Sequence, residues 1–334
     1  MKAVVLVGGF GTRLRPLTLS TPKQMLPVVD RPMIEHVVAG LARHGVDEVV
    51  LSLGYRPDAF TDAYPDGRCA GVRLRYAVEP EPLDTAGAIR FAADAAGLDE
   101  TFVVVNGDVF TDLDVSALWR RHHEVGAEAT IALTPVDDPS RYGVVPTDPE
   151  GRVLGFVEKP PRDEAPTNWI NAGTYVFEPS VLARIPEGRK VSVERETFPA
   201  LVADGTLWAV RSDAYWVDAG TPETYLQIQL DLIDGRRGPA VPGVAPTARV
   251  APSATVDHSV VMSGAEIGAD ARLVDAVVSP GAVIGAGAVV DRSIVGPGAR
   301  IGEGAVVTGL TIVGAGEEVP AGARSEGQRI PEPV

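Results

Sequence analysis

Along this chain the apolar positions follow two different rules. Up to about residue 235, short runs rich in β-branched residues alternate with amphipathic stretches, the pattern of strands joined by crossover helices. The runs 3–7, 48–53, 73–77, 102–105 and 129–134 read as strands. Segment 32–44 places Met33, Ile34, Val37, Val38 and Leu41 at helical spacing just before the second of them. Such alternation predicts an α/β domain over residues 1–235, with a Rossmann-like, mainly parallel sheet covered by helices on both faces and sites at the C-terminal ends of its strands. A glycine-rich segment follows the first strand and therefore falls at that edge.

Segment 234–243 is dense in turn formers and ends this pattern, so residues 236–246 are expected to be a linker. Beyond it a new period takes over. Apolar residues recur at Val250, Val256, Val261, Ile267, Leu273, Val278, Ile284, Val290, Val295 and Ile301, in steps of six, five and six that make a 17-residue repeat. Ile267, Ile284 and Ile301 are each followed by glycine. A β-sandwich would alternate at period two and would not hold this register over several cycles. A hexad-like repeat builds a parallel β-helix, with apolar residues pointing into a narrow core and small residues turning the corners. About four coils are expected over 247–324, with 325–334 as a C-terminal tail. The ends of such a solenoid need covering, by packing against the first domain or by self-association, and a homo-oligomer formed through the β-helix is expected.

A length of 334 residues exceeds the usual size of a single core and agrees with two domains. The composition, 45% hydrophobic and 22% charged, is that of an ordinary globular chain. The formal charge of −15 argues against a nucleic-acid partner, which needs clustered cations, so any phosphate site has to be local. Residues 1–7 are too short for a signal h-region, and no stretch approaches the ~20 apolar residues of a membrane span. No membrane partner and a cytoplasmic location are expected. Cys69 is the sole cysteine, which leaves no internal disulfide and no cysteine-based metal site.

Gly8-Gly9-Phe10-Gly11-Thr12-Arg13 offers backbone N–H groups unhindered by side chains, as phosphate binding requires. Glycines making a tight turn would look the same. Leu14 stands where G-x-G-x-x-G has its third glycine, and the GK[ST] of a P-loop is missing. Arg13, Arg15 and Lys23 add what glycines alone do not, because they put two or three cations beside the loop in an acidic chain.

Residues 8–38, GGFGTRLRPLTLSTPKQMLPVVDRPMIEHVV, resemble the signature segment of the sugar-phosphate nucleotidylyltransferases, the pyrophosphorylases that make nucleotide sugars. The resemblance continues in order through PLDTAGAI at 82–89, NGDV at 106–109, YGVV at 142–145, EKP at 158–160, INAGTY at 170–175 and WVDAGT at 216–221. Left-handed β-helix domains also occur in this family, which implies that hand for the repeat. For the nucleotide, the resemblance implies Leu6, Gly8, Gly9, Gly11, Thr12 and Arg13, with Glu79, Thr85 and Gly87 on the side of the base. For the sugar phosphate it implies Gly143, Glu158, Lys159, Asn171 and Thr174, with Tyr175 near the same pocket. It implies Arg13, Lys23, Asp108 and Asp218 as catalytic, the two aspartates as metal ligands and Mg²⁺ as cofactor.

The residue types suit these roles. Asp108 lies at the C-terminal edge of the strand 102–105, and a triphosphate concentrates charge that Mg²⁺ on one or two carboxylates neutralises. Outside its motif either aspartate reads equally well as a turn or cap, and Glu158-Lys159 as a surface pair. Lys159 can meet a phosphate, Glu158 and Asn171 can hydrogen-bond vicinal hydroxyls, and Gly143 lets backbone approach a sugar ring. One residue departs from the family's pattern. Asp84 stands where many relatives have glycine, and its carboxylate either points to solvent or alters base recognition.

The reaction implied is attack of a sugar-1-phosphate oxygen on the α-phosphorus of a nucleoside triphosphate, with pyrophosphate leaving against Mg²⁺, Arg13 and Lys23. VSVERETFPALVADGTLWA, INAGTY and YWVDAGTPETYL are most similar to the mannose-1-phosphate guanylyltransferases, and Glu79 stands where thymidylyl enzymes often have glutamine. These favour GTP and mannose-1-phosphate. The Lys23-Gln24 pair points instead to a thymidylyl- or uridylyltransferase acting on glucose-1-phosphate. A non-catalytic nucleotide-sugar-binding subunit would be expected to lack the aspartates or lysines, all present here. A β-helix acyltransferase would carry a catalytic histidine within more coils, whereas His258 is the only histidine of the repeat.

Overall fold

The computed structural model describes residues 1–332 and divides the chain into two compact units. The first joins Met1–Gly9 to Ile34–Trp216, and the second joins Phe10–Met33 to the chain from Val217 onward. The signature loop from Phe10 is thus grouped with the β-helix.

The first unit is built on a mixed sheet. Its central strand, Lys2–Leu6, pairs in parallel with Glu48–Leu53 on one side and Phe102–Asn106 on the other. Val72–Val78 extends the parallel run beyond Glu48–Leu53. Both faces of these strands are covered, so Ala3, Val4, Val5, Val103 and Val104 are fully buried, and the strands read as unbroken apolar runs. On the other flank the sheet departs from the expected parallel order. Trp169–Phe177 runs antiparallel to both Phe102–Asn106 and Ala129–Pro135, and Leu207–Arg211 then pairs in parallel with Ala129–Pro135. Alternation of apolar positions encodes a strand but not the direction of its partner.

Helices Met33–Arg43, Asp84–Ala96 and Val115–Val125 supply crossovers. The last is stopped at each end by sequence-local chemistry. Asp114 accepts from the Ala117 N–H at 2.9 Å, and Gly126 takes the left-handed conformation at φ 62°. Cys69 is buried and free. Among the described residues no helix is long and apolar enough to cross a membrane.

The second unit carries a parallel β-helix with three parallel sheets of five strands each among the described residues. Partners are 17 residues apart through most of the coils, as between Val250, Ile267, Ile284 and Ile301. Alanines and β-branched residues from Val261 to Val319 fill the core. Each glycine that follows an isoleucine answers a close approach: a Cβ on Gly268, Gly285 or Gly302 would lie 2.4–2.7 Å from the backbone nitrogen of the next coil. After Ile294 the spacing lengthens, because Ile294 pairs with Ile312 and Ile301 with Val319. The extra residue sits in the corner Gly309-Leu310, where both take positive φ.

Two outer segments also belong to the coils. Gly243 and Ala245 exchange backbone bonds with Val261, so pairing begins within 236–246. Strands Arg324–Glu326 and Arg329–Ile330 pair with the preceding coil, so 325–330, expected as tail, completes the solenoid. Ser325 takes the place of Val307 there, which interrupts the apolar series, while Ile330 continues it beside Val313.

Helix Pro222–Ile233 meets the first coils through His258. Its Nε2 lies 2.9 Å from Asp234 Oδ1 and its Nδ1 faces Asp275 Oδ1, so the imidazolium donates at both nitrogens. The hydrogen bond to Asp275 raises the His258 pKa above its ordinary 6.5; desolvation opposes it, and Asp234 adds to the rise. This contribution to stability is fully present below the unfolded value and fades as pH rises through the folded one. His258→Gln is therefore expected to lower the melting temperature by about 1–2 °C at pH 6 and by less at pH 9. Equal shifts in calorimetry at both pH values would contradict this linkage.

Candidate active site

In the first unit the expected residues collect at the C-terminal edge of the parallel strands. Leu6 ends the central strand in register with Asn106 and Ser52, and its carbonyl accepts from the Gly107 N–H at 2.9 Å. A Cβ on Gly107 would lie 2.7 Å from Val7 Cγ1, so only glycine lets the chain cross the central strand here. Asp108 follows at once, partly buried, at the edge where the sequence puts it.

Glu79 comes to the same edge. Its Oε1 accepts from the Ser52 hydroxyl at 3.0 Å and its Oε2 from the Leu83 N–H at 3.0 Å, while a Cβ on Gly8 would stand 4.0 Å from Oε1. The carboxylate thus closes the turn before helix Asp84–Ala96. Thr85 and Gly87 anchor a second segment to that helix. Thr85 Oγ1 donates to Glu194 Oε2 and accepts from the Val193 N–H, at 2.9 and 2.8 Å. A Cβ on Gly87 would lie 2.6 Å from the Arg189 carbonyl, so the close seat of 189–191 requires glycine.

Asp84 has φ 60°, the left-handed region that glycine enters without cost, which accounts for the glycine of its relatives. Its exposed side chain turns back so that Oδ1 accepts from the Thr85 N–H at 2.8 Å.

The residues expected for the sugar phosphate form a second group. Gly143 pairs with Glu158, and a Cβ on Gly143 would meet the Phe156 ring at 2.4 Å and Glu158 Oε2 at 3.2 Å. Lys159 is 59% exposed, holds its ammonium 3.0 Å from Glu158 Oε1, and takes φ 50°. A non-glycine residue there costs about 1–2 kcal/mol, strain of the kind that gathers at functional sites. Asn171 donates to the Tyr175 hydroxyl and accepts from the Gly173 N–H, both at 2.9 Å, across the irregular stretch of Trp169–Phe177. Asn106 stands against Gly173, where a Cβ would come within 2.6 Å of its Nδ2. The Thr174 hydroxyl is buried and has no hydrogen-bond partner among the described residues.

The second unit holds the cationic loop. Gly11, at φ 58°, begins the turn Thr12–Leu14, and a Cβ there would lie 3.0 Å from Thr18 Cγ2 and 3.2 Å from Lys23 Cβ. Thr18 Oγ1 donates to the Gly11 carbonyl at 2.8 Å. The guanidinium of Arg13 and the carboxylate of Asp218 converge at Gly220: a Cβ on that glycine would lie 2.5 Å from Arg13 Nη2 and 2.8 Å from Asp218 Oδ1. That Oδ1 is shut off from solvent. Thr221 then caps helix Pro222–Ile233 in a capping box with Thr224. From this helix Gln229 accepts from the Val29 N–H and donates to the Pro27 carbonyl, both at 2.9 Å, tying down the hairpin after Lys23.

Asp218, whose Oδ1 is shut off from solvent, and Asp108 offer hard carboxylate oxygens of the kind Mg²⁺ takes. Sequence reasoning missed Ser52, Asn106, Glu194 and Gly220. Gly220 lies inside WVDAGT, Asn106 inside NGDV and Glu194 inside the VSVERETF segment, whereas Ser52 lies in no motif and acts through Glu79.

Residues 2–235 match the Nucleotidyl transferase family, and residues 241–330 match the GMPPB C-terminal domain. This chain belongs to the nucleotidyl transferase family. A mannose-1-phosphate guanylyltransferase of Mycobacterium tuberculosis is 44% identical over 283 residues, covering 81% of this chain and 77% of that protein. A mannose-1-phosphate guanyltransferase of Aspergillus fumigatus is 46% identical over 230 residues, which are 68% of this chain and 62% of the fungal protein. This chain therefore spans less than two thirds of the fungal relative. Among solved structures, HddC from Yersinia pseudotuberculosis complexed with GMP-PN aligns with a TM-score of 0.59 and 30% identity, over 68% of this chain and 97% of that one. A putative glucose-1-phosphate thymidylyltransferase from Bacillus anthracis aligns at 0.61 and 25% identity, over 68% and 93% of the two chains.

In this family member the Asp84 carboxylate is committed to its own helix. Asp84→Gly is expected to move the melting temperature by less than about 3 °C, since relief at φ 60° offsets the lost bond. It should leave the KM for the nucleoside triphosphate within about twofold. A rise of about tenfold would instead place the carboxylate in base recognition.

Proposed function

We propose that the chain transfers a guanylyl group from GTP to mannose-1-phosphate, forming GDP-mannose and releasing pyrophosphate. The observation that carries nucleotidyl transfer is the convergence of Arg13 and Asp218 at Gly220, on a loop that glycine and lysine build together. GTP and mannose are supported by the printed activity of the mycobacterial and fungal relatives.

In this reading a phosphate oxygen of mannose-1-phosphate forms a bond to the α-phosphorus as the bond from that phosphorus to the bridging oxygen breaks. Pyrophosphate leaves with the electron pair. The attacking oxygen is already anionic at neutral pH, so no protein nucleophile or general base is needed. Arg13 and Lys23 neutralise the triphosphate and then the leaving group, and Lys159 holds the sugar phosphate. Asp108 and Asp218 would hold Mg²⁺, which when bound shares that neutralisation. A homo-oligomer formed through the β-helix belongs to the same reading, supported by Val250 of the first coil, which is 37% exposed. A cytoplasmic location belongs to the same reading.

The Lys23-Gln24 pair and the likeness to the Bacillus anthracis protein support a second reading, thymidylyl or uridylyl transfer to glucose-1-phosphate. A matrix of nucleoside triphosphates against sugar-1-phosphates, scored by pyrophosphate release, separates the two. GTP with mannose-1-phosphate should give the highest kcat/KM. A faster reaction of dTTP or UTP with glucose-1-phosphate overturns base and sugar, and silence of every pair overturns the transfer itself. Lys23→Ala and Asp108→Asn should each lower kcat/KM by about 10²–10³ with the melting temperature preserved.

A further inference from the structure

The last described coil of the β-helix reaches the signature loop within the second unit. Strand Arg329–Ile330 pairs with Ile312–Val313, and from it Arg329 Nη1 donates to the carbonyl of Arg13 at 2.8 Å and also to that of Arg15. The loop's own turns use the intervening carbonyls. Leu14 N–H donates to Gly11, Arg15 N–H to Thr12, and Leu17 N–H to Leu14. Arg329 thus supplies a charged donor to the 13–14 and 15–16 peptide planes. Gly314, one coil earlier, brings the solenoid against the same loop, since a Cβ there would lie 3.1 Å from Pro16 Cβ.

A cation bridging two carbonyls makes stronger bonds than a neutral donor and fixes both planes at once. Arg13 is the residue whose backbone Arg329 holds and whose side chain reaches Gly220 beside Asp218. We propose that Arg329 is a positioning residue for the nucleotide: it fixes the Arg13–Arg15 backbone and so the direction in which the Arg13 guanidinium meets the triphosphate. This rests on the reading of the chain as a nucleotidyltransferase with Arg13 at the phosphates. The β-helix then contributes to the affinity of the loop as well as to assembly.

The test is steady-state pyrophosphate release by the full chain with the most active substrate pair. Arg329→Met keeps the apolar stem and removes the donors. Loss of a charge-assisted bond predicts a KM for the nucleoside triphosphate raised about tenfold, with a smaller change in kcat and an unaltered KM for the sugar-1-phosphate. Arg329→Lys should recover part of the affinity. Arg324→Met, an exposed arginine of the same coil, should behave as wild type. Should Arg329→Met unfold at the assay temperature, Arg329→Gln takes its place with the same expectation. An unchanged nucleotide KM, or a fall in kcat alone together with a lower melting temperature, overturns the positioning role in an active enzyme. A wild-type chain that releases pyrophosphate with no pair overturns the underlying reading, and this proposal with it.

Discussion

The chemistry of the second unit depends on one close approach, the convergence of the Arg13 guanidinium and the Asp218 carboxylate where Gly220 has no side chain. Every neighbouring feature serves to hold that geometry. Gly11 lets Thr18 and Lys23 close over the turn that carries Arg13. The Thr221 capping box fixes where helix Pro222–Ile233 begins, and hence where Asp218 and Gly220 lie just before it. Gln229, from the same helix, grips the hairpin that follows Lys23. A methyl group at Gly220 would push the Arg13 guanidinium and the Asp218 carboxylate out of this approach.

A chain of net charge −15 has to hold anionic ligands with a local field. Arg13, Arg15, Lys23 and Arg329 belong to one loop and the coil beneath it, within the second unit. Screening at physiological salt cuts off charges beyond about 8 Å, so the many distant carboxylates weigh little against a few adjacent cations. The first unit works differently. There Glu79, Thr85 and Asn171 spend their polar atoms on neighbouring backbone and side chains. Their hydrogen bonds fix the local backbone of the first unit.

What the sequence showed follows from how far each constraint reaches along the chain. The β-helix was legible because one coil repeats the demands of the last every 17 residues, down to the glycine after each isoleucine. It stopped being legible at the last coil, where Ser325 stands in the position that Val307 fills one coil earlier. The motifs around Asp108, Asp218 and Lys159 were legible because each is local. Their supports were not: Ser52 meets Glu79, Glu194 meets Thr85, and Gln229 meets Pro27 from remote positions that leave no periodic trace. Asp84 lies between these cases. Its departure from glycine was visible, but its φ of 60°, in the region glycine enters without cost, was not.

The end of a solenoid is its weakest point, because the last coil has a neighbour on one side only and stability passes from coil to coil. Here the last described coil has a second neighbour, the signature loop, which lies against Gly314 through Pro16 and against Arg329 through two carbonyls. The loop has the converse difficulty. Rich in glycine, it loses more conformational entropy on ordering than most segments and forms few regular backbone bonds of its own. One contact answers both needs. Fraying of the coil and loosening of the loop are then coupled, so the order of the glycine-rich segment near the N-terminus is tied to residues more than 300 positions later in the chain.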